Sequence, residues 1–185
     1  MQNVETVQIP AGSVLLTADL RRAAQMARLV LFAHGSGSGR LSVRNARVAD
    51  RFATRGTTTL LLDLLTDEEQ AVDVYTAQYR FDIPRLGQRV TAAIDWVASQ
   101  TDLTPLPLGL FGASTGAAAA LIAAAARPDV VGAVVSRGGR PDLAAEALGR
   151  VQAPTLLIVG GRDHEVLALN RLALAGTLDL TKVSY

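Results

Sequence analysis

Ser114 stands in Phe111-Gly112-Ala113-Ser114-Thr115-Gly116, with a glycine two residues away on each side, between an apolar run and an alanine-rich segment. A serine that attacks a carbonyl must be lifted clear of its surroundings on a turn so sharp that the backbone is strained. Side chains at the two flanking corners would then strike the adjoining strand and helix. Gly112 and Gly116 are where that requirement falls. The same residues also suit an ordinary Gly-Ser turn entering a helix, so the pattern takes its meaning from the rest of the chain.

Leu31-Phe32-Ala33-His34-Gly35-Ser36-Gly37-Ser38-Gly39-Arg40 sets a glycine-rich turn after a buried-strand pattern. Such a turn brings backbone N–H groups close to a ligand oxygen. A dinucleotide fingerprint needs its third glycine at another offset, and a Walker loop needs Gly-Lys-Ser/Thr; neither is present, which weakens a phosphate cradle. The competing reading is half of an oxyanion hole, in which the N–H of Ser36 joins that of Thr115, the residue after the serine, in stabilising a tetrahedral intermediate. His34 then reads as a structural histidine that fixes the turn at Gly35, its alternative being a catalytic base. Val159-Gly160-Gly161-Arg162-Asp163-His164 follows the last complete strand pattern, where an acid that orients a histidine is expected in chain order. Asp163 fits that role, and it equally fits an N-cap for a helix from His164 to Ala175.

These residues need elements to hold them. Glu5 to Ile9 alternates polar and apolar, and Pro10-Ala11-Gly12 supplies a turn before Ser13 to Thr17, which predicts an antiparallel hairpin at one sheet edge. Beyond it, Leu29–Ala33, Thr58–Leu62, Leu106–Phe111, Val130–Val135 and Thr155–Val159 are short, uninterrupted apolar runs, as strands of a parallel sheet covered on both faces require. Helical spacing falls between them, over Leu41–Thr54, over Ile83–Gln100 with Ile83, Leu86, Val90, Ile94 and Val97 on one stripe, and over Thr115–Ala126. The alternation predicts a doubly wound α/β domain over residues 1–185, with its ligand at the carboxyl ends of the strands. The acidic stretch Thr66 to Phe81, with Asp67, Glu68, Glu69 and Asp73, reads as a solvated loop or short helix and not a metal site, and Tyr75, Tyr79 and Phe81 are candidates to roof the pocket.

Composition narrows the partners. Lys and Arg number 18 against 17 Asp and Glu, so the near-zero net charge argues against nucleic acid or an anionic membrane. Lys182 is the only lysine, a bias read as that of a high-GC coding sequence more than a phosphate-binding surface. With no cysteine, a disulfide framework, a thiolate metal site and a cysteine nucleophile are all excluded. The first residues lack a signal-peptide pattern and no apolar run approaches a membrane span, so a cytoplasmic protein with no metal or cofactor is expected.

The chain resembles the α/β-hydrolase superfamily, and within it the small dienelactone-hydrolase-like esterases. The likeness runs through the edge hairpin, the His34 to Gly39 turn, Arg80-Phe81-Asp82-Ile83, Gly112 to Gly116, Ser136-Arg137-Gly138-Gly139-Arg140-Pro141-Asp142 and Gly160 to Asp163. It implies Ser114 as nucleophile, Asp163 as acid, Ser36 and Thr115 as oxyanion donors, and a small ester or lactone as substrate. Enzymes named for dienelactone hydrolysis carry cysteine at the nucleophile position, so a serine points to a wider esterase role. Such hydrolases continue through a final strand to a loop bearing the catalytic histidine and a closing helix. Here Lys182 to Tyr185 resembles only the start of that strand, a C-terminally truncated form of the fold. His164 is then the one histidine near the acid, poorly placed to bridge it and Ser114. Two expectations follow: a serine esterase working through an acyl-enzyme, or a scaffold without activity that binds a small carbonyl ligand or a protein. An uncovered edge at residues 181–185 also predicts a homodimer.

Overall fold

The computed structural model describes residues 3–176 and 182–184, whose strands form one eight-stranded sheet. Strands β1 (Asn3–Ala11) and β2 (Val14–Arg22) make the antiparallel edge hairpin, each nine residues long and so longer than the alternation alone indicated. Then follow β3 (Arg28–Ala33), β4 (Thr57–Leu62), β5 (Leu108–Ala113), β6 (Val131–Arg137), β7 (Thr155–Ile158) and β8 (Lys182–Ser184). The spatial order is β1-β2-β4-β3-β5-β6-β7-β8; β2 meets β4 antiparallel, and every pairing from β4 to β8 is parallel. This is the mostly parallel, doubly wound sheet with an edge hairpin that the sequence predicted. Lys182–Ser184 pairs with β7 where the start of a final strand was expected, while residues 181 and 185 of the edge proposed for dimerisation lie outside the described residues.

Strand periodicity distributes the apolar side chains between two faces. Leu29, Leu31 and Ala33 of β3, Leu60 and Leu62 of β4, and Leu108 and Leu110 of β5 enter the larger core. Phe32, Leu61 and Phe111, the intervening residues, face the other side and pack with Ala49 and Phe52 of α1 (Val43–Ala53). Phe32 and Phe111 meet there with ring centroids 4.9 Å apart. The larger core is closed by α3 (Ile83–Ser99) and α4 (Thr115–Ala126). Ile83, Leu86, Val90, Ile94 and Val97 are all buried, as their spacing required, and each contributes about 1.5–3 kcal/mol of transfer free energy.

Helix α4 can approach so closely because its buried face is almost all alanine. At Gly87 of α3, a Cβ would lie 2.5 Å from Ile122 Cγ2 on α4, so glycine sets the spacing of the two helices. Helix starts follow local chemistry: Ser42 caps α1, Asp82 followed by Pro84 opens α3, and Thr66 forms a reciprocal capping box with Glu69 at α2 (Asp67–Thr76). After β6 the chain makes a 3-10 segment, Pro141–Arg150, that packs on α4, and α5 (His164–Gly176) packs on that segment.

The acidic stretch differs from a simply solvated one. Asp73 is buried and accepts from the Tyr79 and Arg80 N–H groups and from Arg80 Nε at 2.6 Å, while Glu69 receives both Arg89 terminal nitrogens. The stretch forms the short helix α2, with Asp67 and Glu68 facing water, while Glu69 ties it to α3 through Arg89 and Asp73 holds the following loop through Arg80. Tyr75 and Phe81 project into solvent and Tyr79 packs on the larger core; none of the three lines the cleft described below, so the expected aromatic roof is not formed. Among the described residues no helix is long and apolar enough to cross a membrane, and no group of three His, Asp or Glu side chains could hold a metal ion.

Candidate active site

Ser114 joins β5 to α4 with φ +50° and ψ −123°, one of three non-glycine residues at positive φ among the described residues. Such a conformation costs on the order of 1–3 kcal/mol and persists only where the surroundings impose it. They do so from both corners. A Cβ at Gly112 would sit 2.4 Å from Ala117 Cα, and one at Gly116 would sit 2.2 Å from His34 O and 2.3 Å from Ala33 O. The start of α4 is thus pressed onto the end of β3, and only hydrogen fits between them.

Three backbone hydrogen bonds hold the turn: Ser114 N–H to Arg137 O, and Ala117 and Arg140 N–H to Ser114 O at 3.1 and 3.2 Å. Ser114 occupies the N-cap position of α4, where a serine ordinarily turns its hydroxyl onto the helix. Here Oγ makes no capping bond, and Ser114 is exposed between buried neighbours. The hydroxyl faces outward. Thr115, first residue of α4, has an N–H with no intrahelical acceptor, aligned with the positive end of the helix dipole.

The glycine-rich turn lies directly opposite. A Cβ on Gly35 would come 3.0 Å from Ser114 Cβ, and Ser36 Oγ meets Thr115 Oγ1 at 3.0 Å. Ser36, Thr115 and Ser114 are therefore brought together at one end of the sheet. His34 fixes this approach from beneath: its Nε2 accepts from Leu64 N–H at 2.9 Å, so Nδ1 carries the proton and donates to Gly35 O at 2.9 Å. Burial pushes its pKa below the ordinary histidine range, against the smaller opposing effects of the Gly35 carbonyl and Asp63. With both ring nitrogens engaged by backbone, the ring has no lone pair to offer Ser114. Asp63 completes the support by accepting from Arg40 N–H at 2.6 Å and from its guanidinium at 3.0 Å, and Asp19 faces the same guanidinium at 3.3 Å.

Asp163 lies in the turn after β7. Its N–H donates to Gly160 O, and its carboxylate accepts from Val166 N–H at 3.2 Å, an N-cap of α5. Gly160 lines the cleft at Ser114. Asp163 and His164, three and four residues further on, are exposed and do not.

That cleft has a volume of about 840 Å³ and runs from the Gly35–Ser38 turn past Ser114 to Ile158 and Gly160, with the first turn of α1 as its other wall. The α1 wall brings Arg44 and Arg47 to it, and the end of β6 brings Arg137. Sequence reasoning did not single out these arginines as site residues. The available signals were the three-residue spacing of Arg44 and Arg47 on the helix after the glycine-rich turn, and the position of Arg137 at a strand's carboxyl end.

An exposed serine on a strained strand-to-helix turn, with a glycine-rich turn packed directly opposite, is an arrangement suited to acyl transfer. A dienelactone hydrolase from Anabaena variabilis has a crystal structure that superposes with a TM-score of 0.94; it is 49% identical and is covered over 98% of this chain and 84% of its own. A dienelactone hydrolase-like promiscuous phosphotriesterase from metagenomic libraries shares the fold at 20% identity and a TM-score of 0.78, over 100% of this chain and 81% of its own. A curated relative from Mycobacterium tuberculosis, named "Putative phosphoribosyl transferase", is 51% identical over 182 residues, which are 97% of this chain and 40% of that protein. The chain thus spans about two fifths of the length of that relative. The model of the Dienelactone hydrolase family matches residues 24–185, which take in the serine turn, the donor turn and the acidic turn alike, and the chain belongs to that family.

Proposed function

We propose that this protein hydrolyses carboxylic esters, lactones included, through an acyl-enzyme on Ser114. Family membership and the likeness to a dienelactone hydrolase of known structure support a hydrolase; the observation that carries the finer reading is the uncapped, exposed Ser114 hydroxyl at φ +50°. In this reaction Ser114 Oγ bonds to the substrate carbonyl carbon and its proton passes to a base. The carbonyl oxygen becomes an oxyanion held by the N–H groups of Ser36 and Thr115. Collapse breaks the ester C–O bond, the alcohol leaves with the proton, and water then attacks the acyl-enzyme to release the acid and restore Ser114.

The two backbone partners of His34 support a role in holding the glycine-rich turn and not as the base. Asp163 is the acid partner in this reading, and His164 a weak proton acceptor beside it. A serine hydroxyl becomes a good nucleophile at neutral pH only when a base takes its proton, so turnover at Ser114 is expected to respond to an added base. The name of the mycobacterial relative describes a protein of which the region similar to this chain is 40%, and no transferase role is assigned to the serine site. The test is hydrolysis of a short p-nitrophenyl ester with and without imidazole. Activity that rises with imidazole and is lost in Ser114→Ala supports the proposal; a Ser114→Ala variant as active as the parent overturns it.

A further inference from the structure

Among the described residues, the cleft beside Ser114 is lined by three arginines and by no carboxylate. Elsewhere in this protein partly buried guanidinium groups are answered by acids: Arg40 by Asp19 and Asp63, Arg80 by Asp73, Arg89 by Glu69 and Arg140 by Asp142. Arg137 is also partly buried, yet it stacks over the Phe111 ring at 5.7 Å and donates a hydrogen bond to the neutral Asn45 Oδ1 at 3.4 Å. Burial, and then the like charge of Arg44, depress its pKa below the ordinary arginine value, the direction expected of a cation lacking its counter-ion. Three arginines line one cavity with the amino-terminal turn of α1, and among the described residues no carboxylate lines it to balance them.

We propose that this cleft accepts an ester carrying a phosphate monoester group, gripped by Arg44, Arg47 and Arg137 while the scissile carbonyl lies at Ser114. The inference rests on the ester-hydrolase reading. A phosphate fits better than a carboxylate because its dianion offsets more of the three charges, and its three oxygens can meet guanidinium forks arriving from two walls. A neutral acyl chain would leave Arg137 desolvated and unanswered. The arginines act here as specificity-determining residues and take no part in bond making.

The test compares three p-nitrophenyl esters of similar size, those of 3-phosphonooxypropanoate, hemiglutarate and pentanoate, on the parent and on Arg44→Gln/Arg47→Gln, whose substituted side chains are exposed. Thermal shift with about 10 mM inorganic phosphate, or acetate at equal ionic strength, supplies a readout independent of turnover. The proposal expects kcat/KM for the phosphorylated ester to exceed the neutral one by roughly tenfold or more, a preference that shrinks in the double variant and with added salt. It also expects phosphate, and not acetate, to raise the parent Tm, with the gain reduced in the variant. A faster hemiglutarate than phosphate ester assigns the site to carboxylates and overturns the proposal, as does a preference for pentanoate with no phosphate stabilisation. The two readings fail separately: phosphate stabilisation without turnover of any ester sinks the hydrolase and leaves an arginine-lined phosphate site, whereas turnover of pentanoate alone sinks only the anion site.

Discussion

Adding one methyl group at Gly116 tests whether close contact between α4 and β3 creates the serine turn. In Gly116→Ala the new Cβ would lie 2.2 Å from His34 O and 2.3 Å from Ala33 O, about 1 Å inside ordinary carbon–oxygen contact at both. Both obstacles are backbone atoms at the end of a central strand, so no rotamer change relieves them and α4 must move. Overpacking costs typically about 1–3 kcal/mol, and immovable neighbours place this case at about 3. Replacing glycine by alanine near a helix start returns at most about 1 kcal/mol of helix propensity. The net loss is about 2 kcal/mol or more, which for a chain of this size lowers Tm by roughly 4–8 °C. The displaced helix also carries Thr115 N–H away from Ser36, so reactivity should fall further than stability. Thermal unfolding by circular dichroism and ester turnover well below Tm measure the two effects. Gly161→Ala, outside the cleft lining, is the control, since a Cβ there meets nothing within 4 Å. A Gly116→Ala protein as stable and as active as Gly161→Ala would show that this contact does not hold the turn.

The remaining predictions concern the supports of the site. His34→Gln should destabilise the fold by about 1–3 kcal/mol through the buried Leu64 N–H it leaves poorly paired, seen as a lower Tm, while Ser114 below that Tm still reacts. Because His34 has a folded pKa below its unfolded value of 6.5, its contribution is intact above that value and is lost as pH falls from there through the folded pKa; Tm against pH should show this loss, and it should flatten in His34→Gln. A second loss should appear only below about pH 4.5, from Glu69 and Asp73, whose pKa values their arginine partners and backbone N–H groups lower against the cost of burial, so their stabilisation is present above the unfolded values and fades as pH drops through the folded ones. Asp163→Ala should cost about 1 kcal/mol from the lost α5 cap, measured by denaturant unfolding.

The sheet was legible because both faces are covered. Uninterrupted apolar runs such as Thr58–Leu62 can be little else in a chain with helices between them, and the observed strands differ from the runs chiefly at their ends. Strand β5 begins two residues after Leu106 and continues through Ala113, since Gly112 and Ala113 still pair with Ser136 and Arg137 although their small side chains give no apolar signal. The Gly112 and Gly116 corners could be read because sterics leave a single residue type. What stayed hidden depends on three-dimensional pairing: Asp73 meets Arg80 across a left-handed turn at Ala77, and Arg137 meets Asn45 over 92 residues of chain. An arginine-rich composition could not distinguish the guanidinium groups neutralised on the surface from the three that face the cleft. The 3-10 segment Pro141–Arg150 was missed because its buried residues Pro141, Ala144 and Ala147 are small, and the chain kinks at Ala145, φ +46°.

Whether the strained turn makes Ser114 a nucleophile is read by a fluorophosphonate probe, which bonds only to an activated serine, applied to the folded protein with added imidazole and followed by peptide mapping in a mass spectrometer. One adduct is expected, on Ser114, formed faster with imidazole and absent after thermal unfolding. An unlabelled protein, or an adduct on Ser36 or Ser38 with Ser114 unmodified, would contradict it.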